Sequence, residues 1–369
     1  MHVLSVSSLK GGVGKTTVAL GMASAAYARG LRTLVVDLDP QCDATTGLGA
    51  IGEFTTTCAD VLRKPRHNIV HSAIVASSWG KIQPTKTDIM VGSPKVQLSD
   101  DPSPSVREMW RLEIALSRVE DEYDLVIIDT PPSINGLTKT AWVASDRILV
   151  VTEPSLFSVV AADRSIRAIN DLRKEVTRRL KIFGVVINRY KPLSREHQFR
   201  VKELNEKYPG RLLPQKFEEK STIQQAQGAA RPIHSWPGET AKHIATYFDQ
   251  ILDSLLLDLA ANVYDEVEEK SKSTRRQRKL IRTARGKKKI ETLLAKSPLD
   301  PIELLDSENL QVAAEADLGI AASQDLRPGI DTDTGQTAEV TDFDLLVAEA
   351  ATEVDPEEDE TGSSNSKKV

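Results

Sequence analysis

Residues 10–17 read Lys-Gly-Gly-Val-Gly-Lys-Thr-Thr, and this stretch decides the fold. Its Gly-Gly-Val-Gly-Lys-Thr core corresponds to a phosphate loop, with an extra lysine, Lys10, ahead of the first glycine. Glycines let consecutive backbone N–H groups turn towards phosphate oxygens. In such a loop Lys15 reaches the β- and γ-phosphates and the Thr16 hydroxyl ligates Mg²⁺. We predict that the nucleotide is held by Gly11, Gly12, Val13, Gly14, Lys15, Thr16 and Thr17.

The residues on either side of the loop suit a strand–loop–helix unit. A short apolar strand pattern, Val3–Val6, precedes the loop, and an alanine-rich helix pattern, Thr17–Arg29, follows it. The N-terminus of that helix would add its dipole to the anion site.

Strand-like apolar runs alternate with helical stretches over the first 260 residues. Continuous Val, Ile and Leu runs between helices indicate a parallel sheet covered on both faces. We therefore predict an α/β, doubly wound, mainly parallel sheet of the phosphate-loop NTPase type. The predicted strands are 3–7, 32–37, 88–92, 124–129, 147–152 and 182–187, and the predicted helices are 16–29, 104–120, 136–145, 160–179, 194–207 and 239–264. The last helix carries an apolar stripe with an acidic opposite face, which favours packing on the sheet over lying on a membrane.

Charge is strongly segregated in this chain of 369 residues, although its net charge is only −5. Residues 270–289 hold 11 basic and no acidic side chains, whereas residues 299–369 hold 19 acidic and three basic ones. We predict an ATPase-type domain over 1–265, a basic and helical segment over 266–298, and an acidic, largely disordered tail over 299–369. Two cysteines and the lack of a leader or of an 18-residue apolar run predict a cytoplasmic protein without a membrane span.

Three aspartates follow apolar strands and are candidates for metal and water chemistry. The sequence VVDLDPQ places Asp37 and Asp39 at the end of the second strand, and Asp129 ends the strand DLVIID. Ligands bind at the carboxyl ends of strands in open α/β sheets, so these carboxylates are expected beside the phosphate loop. Asp37 or Asp39 can organise Mg²⁺ while the other positions the attacking water, and Asp129 is the usual Mg²⁺-linked carboxylate of such proteins.

These three motifs together resemble those of the ParA family, the deviant-Walker ATPases that partition plasmids and chromosomes. The resemblance rests on residues 10–17, on Asp37-Leu-Asp-Pro-Gln41 and on Asp129-Thr-Pro-Pro-Ser133, and it extends over roughly residues 1–260, including ARPIHSWP at 230–237. It implies ATP and Mg²⁺ as cofactors, an ATP-dependent homodimer, and an ATP hydrolase that is weak alone and stimulated by a partner.

The resemblance also implies roles for single residues. Lys10 matches the lysine that reaches across a dimer to the partner's phosphates, and a cation supplied in this way stabilises the transferring phosphoryl group. Lys10, Lys15 and Asp39 are therefore the predicted catalytic residues, and Thr16, Asp37 and Asp129 the predicted metal ligands. Asn188, after GVVI, matches a residue that contacts the adenine edge, with Pro214 in a following loop.

One departure from the family concerns the second motif. The family usually reads DPQGNAT, where this chain has Cys42 and Asp43. Losing the glycine removes easy access to positive φ, and Asp43 adds a negative charge near the phosphates. The effect on hydrolysis is left open.

Basic residues predict DNA as a partner. Residues 163–202 hold 12 basic and four acidic side chains, and the basic segment follows later. Lysine and arginine on phosphates give sequence-independent, salt-sensitive affinity. The predicted contacts are Arg178, Arg179, Arg195, Arg200, Arg275, Arg276, Arg278 and Lys279, with Lys181 and Lys202 beside them. The resemblance adds nucleoid association and a centromere-binding, ParB-like protein as partner.

Four other functions share this type of phosphate loop. A MinD-like membrane regulator needs a basic amphipathic C-terminal helix, and a nitrogenase-type iron protein needs cysteines beyond Cys58, so the sequence favours neither. An ATP-dependent amidoligase needs a small-molecule pocket that the sequence does not reveal. Positioning of a protein cargo by the same cycle stays open.

Overall fold

The computed structural model describes residues 1–81 and 86–271, and it contains one eight-stranded sheet flanked by helices. The strands lie in the order β3-β4-β2-β5-β1-β6-β7-β8, and all pairings are parallel except that of β3 with β4. Their bounds are β1 His2–Ser7, β2 Thr33–Asp37, β3 Ile74–Ala76, β4 Thr87–Met90, β5 Leu125–Asp129, β6 Arg147–Thr152, β7 Lys181–Ile187 and β8 Leu212–Lys216. The predicted doubly wound, mainly parallel fold is confirmed.

Eleven α-helices lie within the described residues. Their bounds are α1 Lys15–Ala28, α2 Asp43–Gly47, α3 Cys58–Arg63, α4 His67–Ser72, α5 Val106–Met109, α6 Arg111–Leu116, α7 Gly136–Val143, α8 Leu156–Glu175, α9 Arg195–Lys207, α10 Ser221–Gly228 and α11 Glu239–Ser271. Short 3-10 turns occur at Ser78–Lys81, Pro94–Ser99 and Ile233–Ser235.

Several predicted bounds were wrong. The single helix expected over 104–120 is interrupted at Trp110 and ends at Leu116. Helix α8 begins four residues before the expected position, after Ser155 in an extended conformation, and ends before Val176 and Thr177, which are β-branched. Pro214 lies within β8 and not in a loop, which is tolerated because β8 is an edge strand.

The two faces of the sheet bury separate apolar layers. Strands β2, β5 and β6 are buried along their whole length, as parallel strands covered on both sides must be. On one face α1 and α11 pack together over β1, β5 and β6. On the other face α3, α6 and α7 cover β2 and β5.

Helix α11 packs on the sheet, as its apolar stripe predicted. Ile244, Phe248, Ile251, Leu255 and Leu259 are all buried. Two buried arginines, Arg29 and Arg147, form ion pairs with Asp253 and Asp258 of this helix. In the described part of the chain, no helix is long and apolar enough to cross a membrane.

The C-terminal predictions fall largely beyond the described residues. Helix α11 continues to Ser271, six residues past the predicted end of the first domain. The rest of the basic segment, with Arg275, Arg276, Arg278 and Lys279, and the acidic tail over 299–369 lie outside the residues that the structure describes.

Candidate nucleotide site

The three sequence motifs meet because their strands are neighbours. Strand β5 lies between β2 and β1, and the parallel register places Asp129 of β5 beside both Asp37 of β2 and Val6 of β1. The phosphate loop leaves β1 at the same edge. Segments separated by more than 100 residues in the sequence are thereby brought to one end of the sheet.

The phosphate loop has the left-handed turns that its glycines permit. Gly12 and Gly14 have φ angles of 76° and 91°, and α1 begins directly after Gly14. The first turn of a 14-residue helix, with its unpaired N–H groups and positive dipole end, therefore borders the loop. This geometry is suited to binding a phosphate.

Lys15 is buried at the start of α1, with only 6% of its surface exposed. Burial lowers its pKa, while the carboxylates of Asp129 and Asp39 act in the opposite direction. A buried ammonium group attracts a bound phosphate strongly, because the protein interior screens charge less than water does.

Thr16, Asp37 and Asp129 have a geometry that fits Mg²⁺. The Thr16 hydroxyl donates to Asp129 Oδ2 at 2.6 Å. Both aspartates are fully buried, and Asp37 Oδ1 and Asp129 Oδ1 have no hydrogen-bond partner among the described residues. Burial raises the pKa of Asp129 well above its usual range and that of Asp37 to about 6. Buried carboxylate oxygens without a donor are suitable for a divalent cation, which accepts one or two carboxylates together with phosphate oxygens and water.

Asp39 lines a cavity that the phosphate loop borders. It is 8% exposed, and its Oδ1 accepts the backbone N–H of Gln41 at 3.0 Å, which holds the carboxylate in the turn after β2. The cavity, of about 520 Å³, is lined by the loop residues Gly11, Gly12, Gly14, Lys15, Thr16 and Thr17, by Asp39, Pro40, Gln41 and Asp43, by Gln97 and Asp100, and by Pro131, Pro132 and Ser133.

Asn188 supports the phosphate loop from the end of β7. Its Nδ2 donates to the carbonyl oxygen of Val13 at 2.7 Å, and a Cβ atom on Gly14 would lie 2.2 Å from that nitrogen. The sequence predicted a nucleotide contact for Asn188, and the contact that the structure shows is this one with the loop.

Lys10 does not line the cavity. Its Nζ, on a side chain that is 36% exposed, donates to Glu153 Oε2 at 3.3 Å, to Ser155 Oγ at 3.4 Å and to Ser158 Oγ at 3.0 Å. The other carboxylate oxygen of Glu153 accepts from Arg189 Nη1 at 2.8 Å. Lys10 is therefore bound within its own subunit, at the start of α8.

Sequence reasoning missed Gln97, Asp100 and Ser133. Ser133 belongs to the motif that begins at Asp129, but Gln97 lies in the 3-10 turn Pro94–Ser99 and Asp100 directly after it, in a stretch with no recognisable pattern. Asp100 accepts the backbone N–H of Leu137 at 3.1 Å and so connects this turn to the start of α7.

The predicted DNA contacts differ in how free their charges are. Arg178 and Arg195 are exposed. Arg179 forms a two-pronged pair with Glu113 at 2.9 and 2.5 Å, and Arg200 lies between Glu196 and Glu203 at 2.7 and 2.9 Å. Acidic neighbours thus pair with Arg179 and Arg200, and DNA contact by these four residues stays a prediction.

The fold and the cavity define a phosphate-loop nucleotide-binding protein, and comparisons with known proteins narrow this class. A family model described as an AAA domain matches residues 1–182. The chain is 30% identical over 265 residues to the virulence plasmid ParA family protein pGP5-D of Chlamydia psittaci, covering 70% of this chain and 97% of that protein. It is 34% identical over 194 residues to the chromosome partitioning protein ParA of Caulobacter vibrioides, covering 52% and 70% respectively.

A solved structure shares the fold. The ATP complex of a McdA variant from Cyanothece superposes with a TM-score of 0.61 at 19% identity, covering 69% of this chain and 96% of that one. The relative that is 30% identical over nearly its whole length shows the family: the chain belongs to the ParA family of ATPases.

Asp129→Asn is expected to raise the melting temperature of the nucleotide-free protein. The amide removes a buried charge beside Asp37 and keeps an oxygen that can accept the Thr16 hydroxyl. Relief of a poorly compensated buried polar group is worth about 1–3 kcal/mol, and about 2–4 °C in melting temperature per kcal/mol for a domain of this size. Calorimetry at pH 8 in EDTA measures the effect.

The stability difference between Asp129→Asn and wild type should depend on pH. Because the folded-state pKa of Asp129 is raised, the stability that its protonated form contributes is fully present below about pH 4 and is lost as pH rises. The gap between Asp129→Asn and wild type should therefore widen from pH 5 towards pH 8. With Mg²⁺ and ATP the order should reverse, and a lower melting temperature of the variant at pH 8 in EDTA would contradict the prediction.

Proposed function

We propose that this protein is a DNA partition ATPase that binds Mg²⁺ and ATP, dimerises with the nucleotide shared between subunits, and holds DNA without sequence preference. Hydrolysis, stimulated by a ParB-like centromere-binding protein, then returns it to the free monomer. The observation that carries the proposal is one cavity lined by the phosphate loop and Asp39, with Asp129 hydrogen-bonded to Thr16 of that loop. The relatives named for plasmid and chromosome partitioning support DNA as the cargo.

Substrate binding follows from the loop and the cations around it. The N–H groups at the start of α1 and the Lys15 ammonium would surround the β- and γ-phosphates. Thr16 and Asp129, with Asp37 behind them, would hold Mg²⁺, which when bound neutralises charge on the phosphate oxygens. Removal of the Asn188 support would loosen the loop itself, because Asn188 fixes the carbonyl of Val13.

Hydrolysis needs a group that positions water opposite the leaving oxygen, and we assign this role to Asp39. Its carboxylate lines the cavity and is held by the N–H of Gln41. Asp39 lines the cavity and Asp129 is bonded to Thr16, so Asp39 can serve the water while Asp129 serves the cation.

Dimerisation would require Lys10 to leave its present partners. In the single subunit, Glu153 and two serine hydroxyls hold the ammonium. A partner's triphosphate offers more negative charge than one carboxylate that is already paired with Arg189. ATP would therefore favour transfer of Lys10 from Glu153 to the partner subunit's nucleotide, and ADP would favour it less.

DNA binding is assigned to the exposed basic side chains of the dimer. Arg178 and Arg195 are the exposed candidates within the described residues. The basic segment beyond residue 271 adds ten basic side chains between Lys272 and Lys289. Each phosphate neutralised by such a side chain releases counterions, so retention should fall steeply with salt. Cytoplasmic and nucleoid-associated localisation belong to the same proposal.

DNA retention under three nucleotide conditions tests this function. Wild type, Lys15→Ala and Asp39→Ala are passed over immobilised non-specific DNA with ATP and Mg²⁺, with ADP and Mg²⁺, or without nucleotide. Wild type should be retained only with ATP, because only the dimer presents enough basic side chains. Lys15→Ala should not be retained on the DNA under any of the three conditions. Asp39→Ala should stay bound to the DNA with ATP, because it does not hydrolyse the nucleotide and so is not released.

Lys64→Ala provides a matched control, because Lys64 is an exposed lysine that does not line the cavity. It should behave as wild type. Retention of wild type, Lys15→Ala and Asp39→Ala without nucleotide, as strong as that of wild type with ATP, would rule out the switch.

A further inference from the structure

Thr45 forms a hydrogen-bonded link between the metal site and two segments outside it. The residue is buried at 6% exposure, in α2. Its backbone N–H and its hydroxyl both contact Asp37 Oδ2, at 2.8 and 2.7 Å, and the N–H of Gly92 contacts the same hydroxyl oxygen at 2.9 Å.

The donor and the acceptor in each of these hydrogen bonds follow from the number of protons that each group carries. The Gly92 N–H can only donate, so Thr45 Oγ1 accepts from it and its single hydroxyl proton is left for Asp37. Asp37 Oδ2 therefore receives two donors from one residue. Its other oxygen, Oδ1, is buried and receives none from the described residues. The carboxylate is thus rotationally fixed, with the free oxygen left for a cation.

Gly92 closes the arrangement from the end of β4. A Cβ atom on this residue would lie 2.8 Å from both Asp37 Cγ and Asp37 Oδ2, and 3.1 Å from Cys42 Sγ. The backbone of Gly92 can approach the carboxylate this closely only because the side chain is missing. The carboxylate is therefore fixed by contacts on two sides, Thr45 and Gly92.

The same bonds close a loop that contains the proposed hydrolytic residue. The contact from Thr45 to Asp37 spans eight residues of sequence, and Asp39 lies between them. Cys42, within this loop, has a φ of 58°, a left-handed conformation that is uncommon for a residue other than glycine. The position of Asp39 therefore depends on whether the Thr45–Asp37 contact holds.

We propose that Thr45 is a positioning residue, which orients Asp37 towards Mg²⁺ and thereby couples metal binding to the loop that carries Asp39. The inference rests on the proposed function, because it assigns Mg²⁺ and ATP to this cavity. Thr45 does not touch the nucleotide: it acts on the cation through Asp37. Loss of its hydroxyl leaves Asp37 free to rotate and Gly92 N–H without its acceptor.

Binding of a fluorescent ATP analogue, titrated with Mg²⁺, tests the role in Thr45→Val and Thr45→Ser. Valine keeps the shape and removes the hydroxyl, whereas serine keeps the hydroxyl. In Thr45→Val the Mg²⁺ concentration that gives half-maximal tightening should rise about 10- to 100-fold, as for other groups that orient a metal ligand. Nucleotide affinity in EDTA should stay near the wild-type value, and Thr45→Ser should restore the Mg²⁺ response.

Gly92→Ala keeps the test decisive if Thr45→Val does not fold. Its Cβ would displace Asp37 while Thr45 remains intact, so it should show the same selective loss of Mg²⁺ response. Equal weakening with and without Mg²⁺, or a Thr45→Ser variant as defective as Thr45→Val, would mean a purely structural role and overturn the inference. A normal Mg²⁺ response in Thr45→Val would also overturn it and leave the proposed function intact. A wild-type protein whose nucleotide binding ignores Mg²⁺ would overturn both.

Discussion

Lys10→Ala is expected to abolish ATP-dependent dimerisation while ATP binding to the single subunit is retained. The side chain does not line the cavity, so its removal leaves the loop, Lys15 and the metal pair in place. The cation that it would supply to the partner subunit's phosphates is lost. Because charge stabilisation of this kind is worth about 10³–10⁵ in rate in related phosphoryl transfer, hydrolysis should fall at least about 100-fold. Sedimentation and binding of a fluorescent ATP analogue separate the two effects.

Glu153→Gln is expected to have the opposite effect on ATP-dependent dimerisation. It weakens the pair that holds Lys10 within the subunit and also the pair of Glu153 with Arg189. Less ATP should then be needed to form the dimer. Dimerisation of Lys10→Ala at the ATP concentrations that wild type needs would show that Lys10 does not reach the partner subunit's nucleotide. The ion pair of Lys10 with Glu153 would then have no role in dimerisation.

Gly14→Ala is expected to remove nucleotide binding almost completely. The new Cβ would lie 2.2 Å from Asn188 Nδ2, and the backbone at φ 91° is strained for any residue with a side chain. The loop must change shape or lose the Asn188 contact to Val13, and either change displaces the N–H groups that face the phosphates. We expect affinity to fall at least about 100-fold, equivalent to about 2.7 kcal/mol, as measured by calorimetric titration with Mg²⁺ and ATP.

Gly11→Ala is the matched control, because a Cβ there meets nothing within 4 Å in the described structure. It should lose far less affinity than Gly14→Ala. Adding Asn188→Ala to Gly14→Ala removes the overlap but not the strained φ, so it should restore part of the binding. A Gly14→Ala variant no worse than Gly11→Ala would contradict this account of the loop.

The sequence was sufficient for six of the eight strands and for Lys15 and Asp39 of the cavity, but not for Asp100. Apolar runs as regular as those of β2, β5 and β6 have few alternatives to a buried parallel strand, and an aspartate that ends such a run lies at the carboxyl edge of the sheet. Strands β3 and β8 escaped notice because a three-residue edge strand and a strand containing Pro214 lack a distinctive pattern.

Contacts made by side chains across the fold could not be predicted from the sequence. Asn188 lies 175 residues from the carbonyl that it supports, and Arg179 lies 66 residues from the glutamate that neutralises it. Neither distance leaves a periodic signal in the sequence. The contacts of the Lys10 ammonium could not be predicted for the same reason, since its partners lie at the start of α8, more than 140 residues away.

The pairing of β1 has a consequence for how the protein is made. This strand leaves the ribosome before β5 and β6, which are its neighbours in the sheet and whose pairing with it begins at Leu125 and Arg147. Such long-range pairing is slow to form, and the strand remains an unpaired edge in the nascent chain until both partners have been synthesised. At about 5–20 residues per second, that interval lasts several seconds or more. Nucleotide binding would therefore report the completion of the domain, and not its beginning.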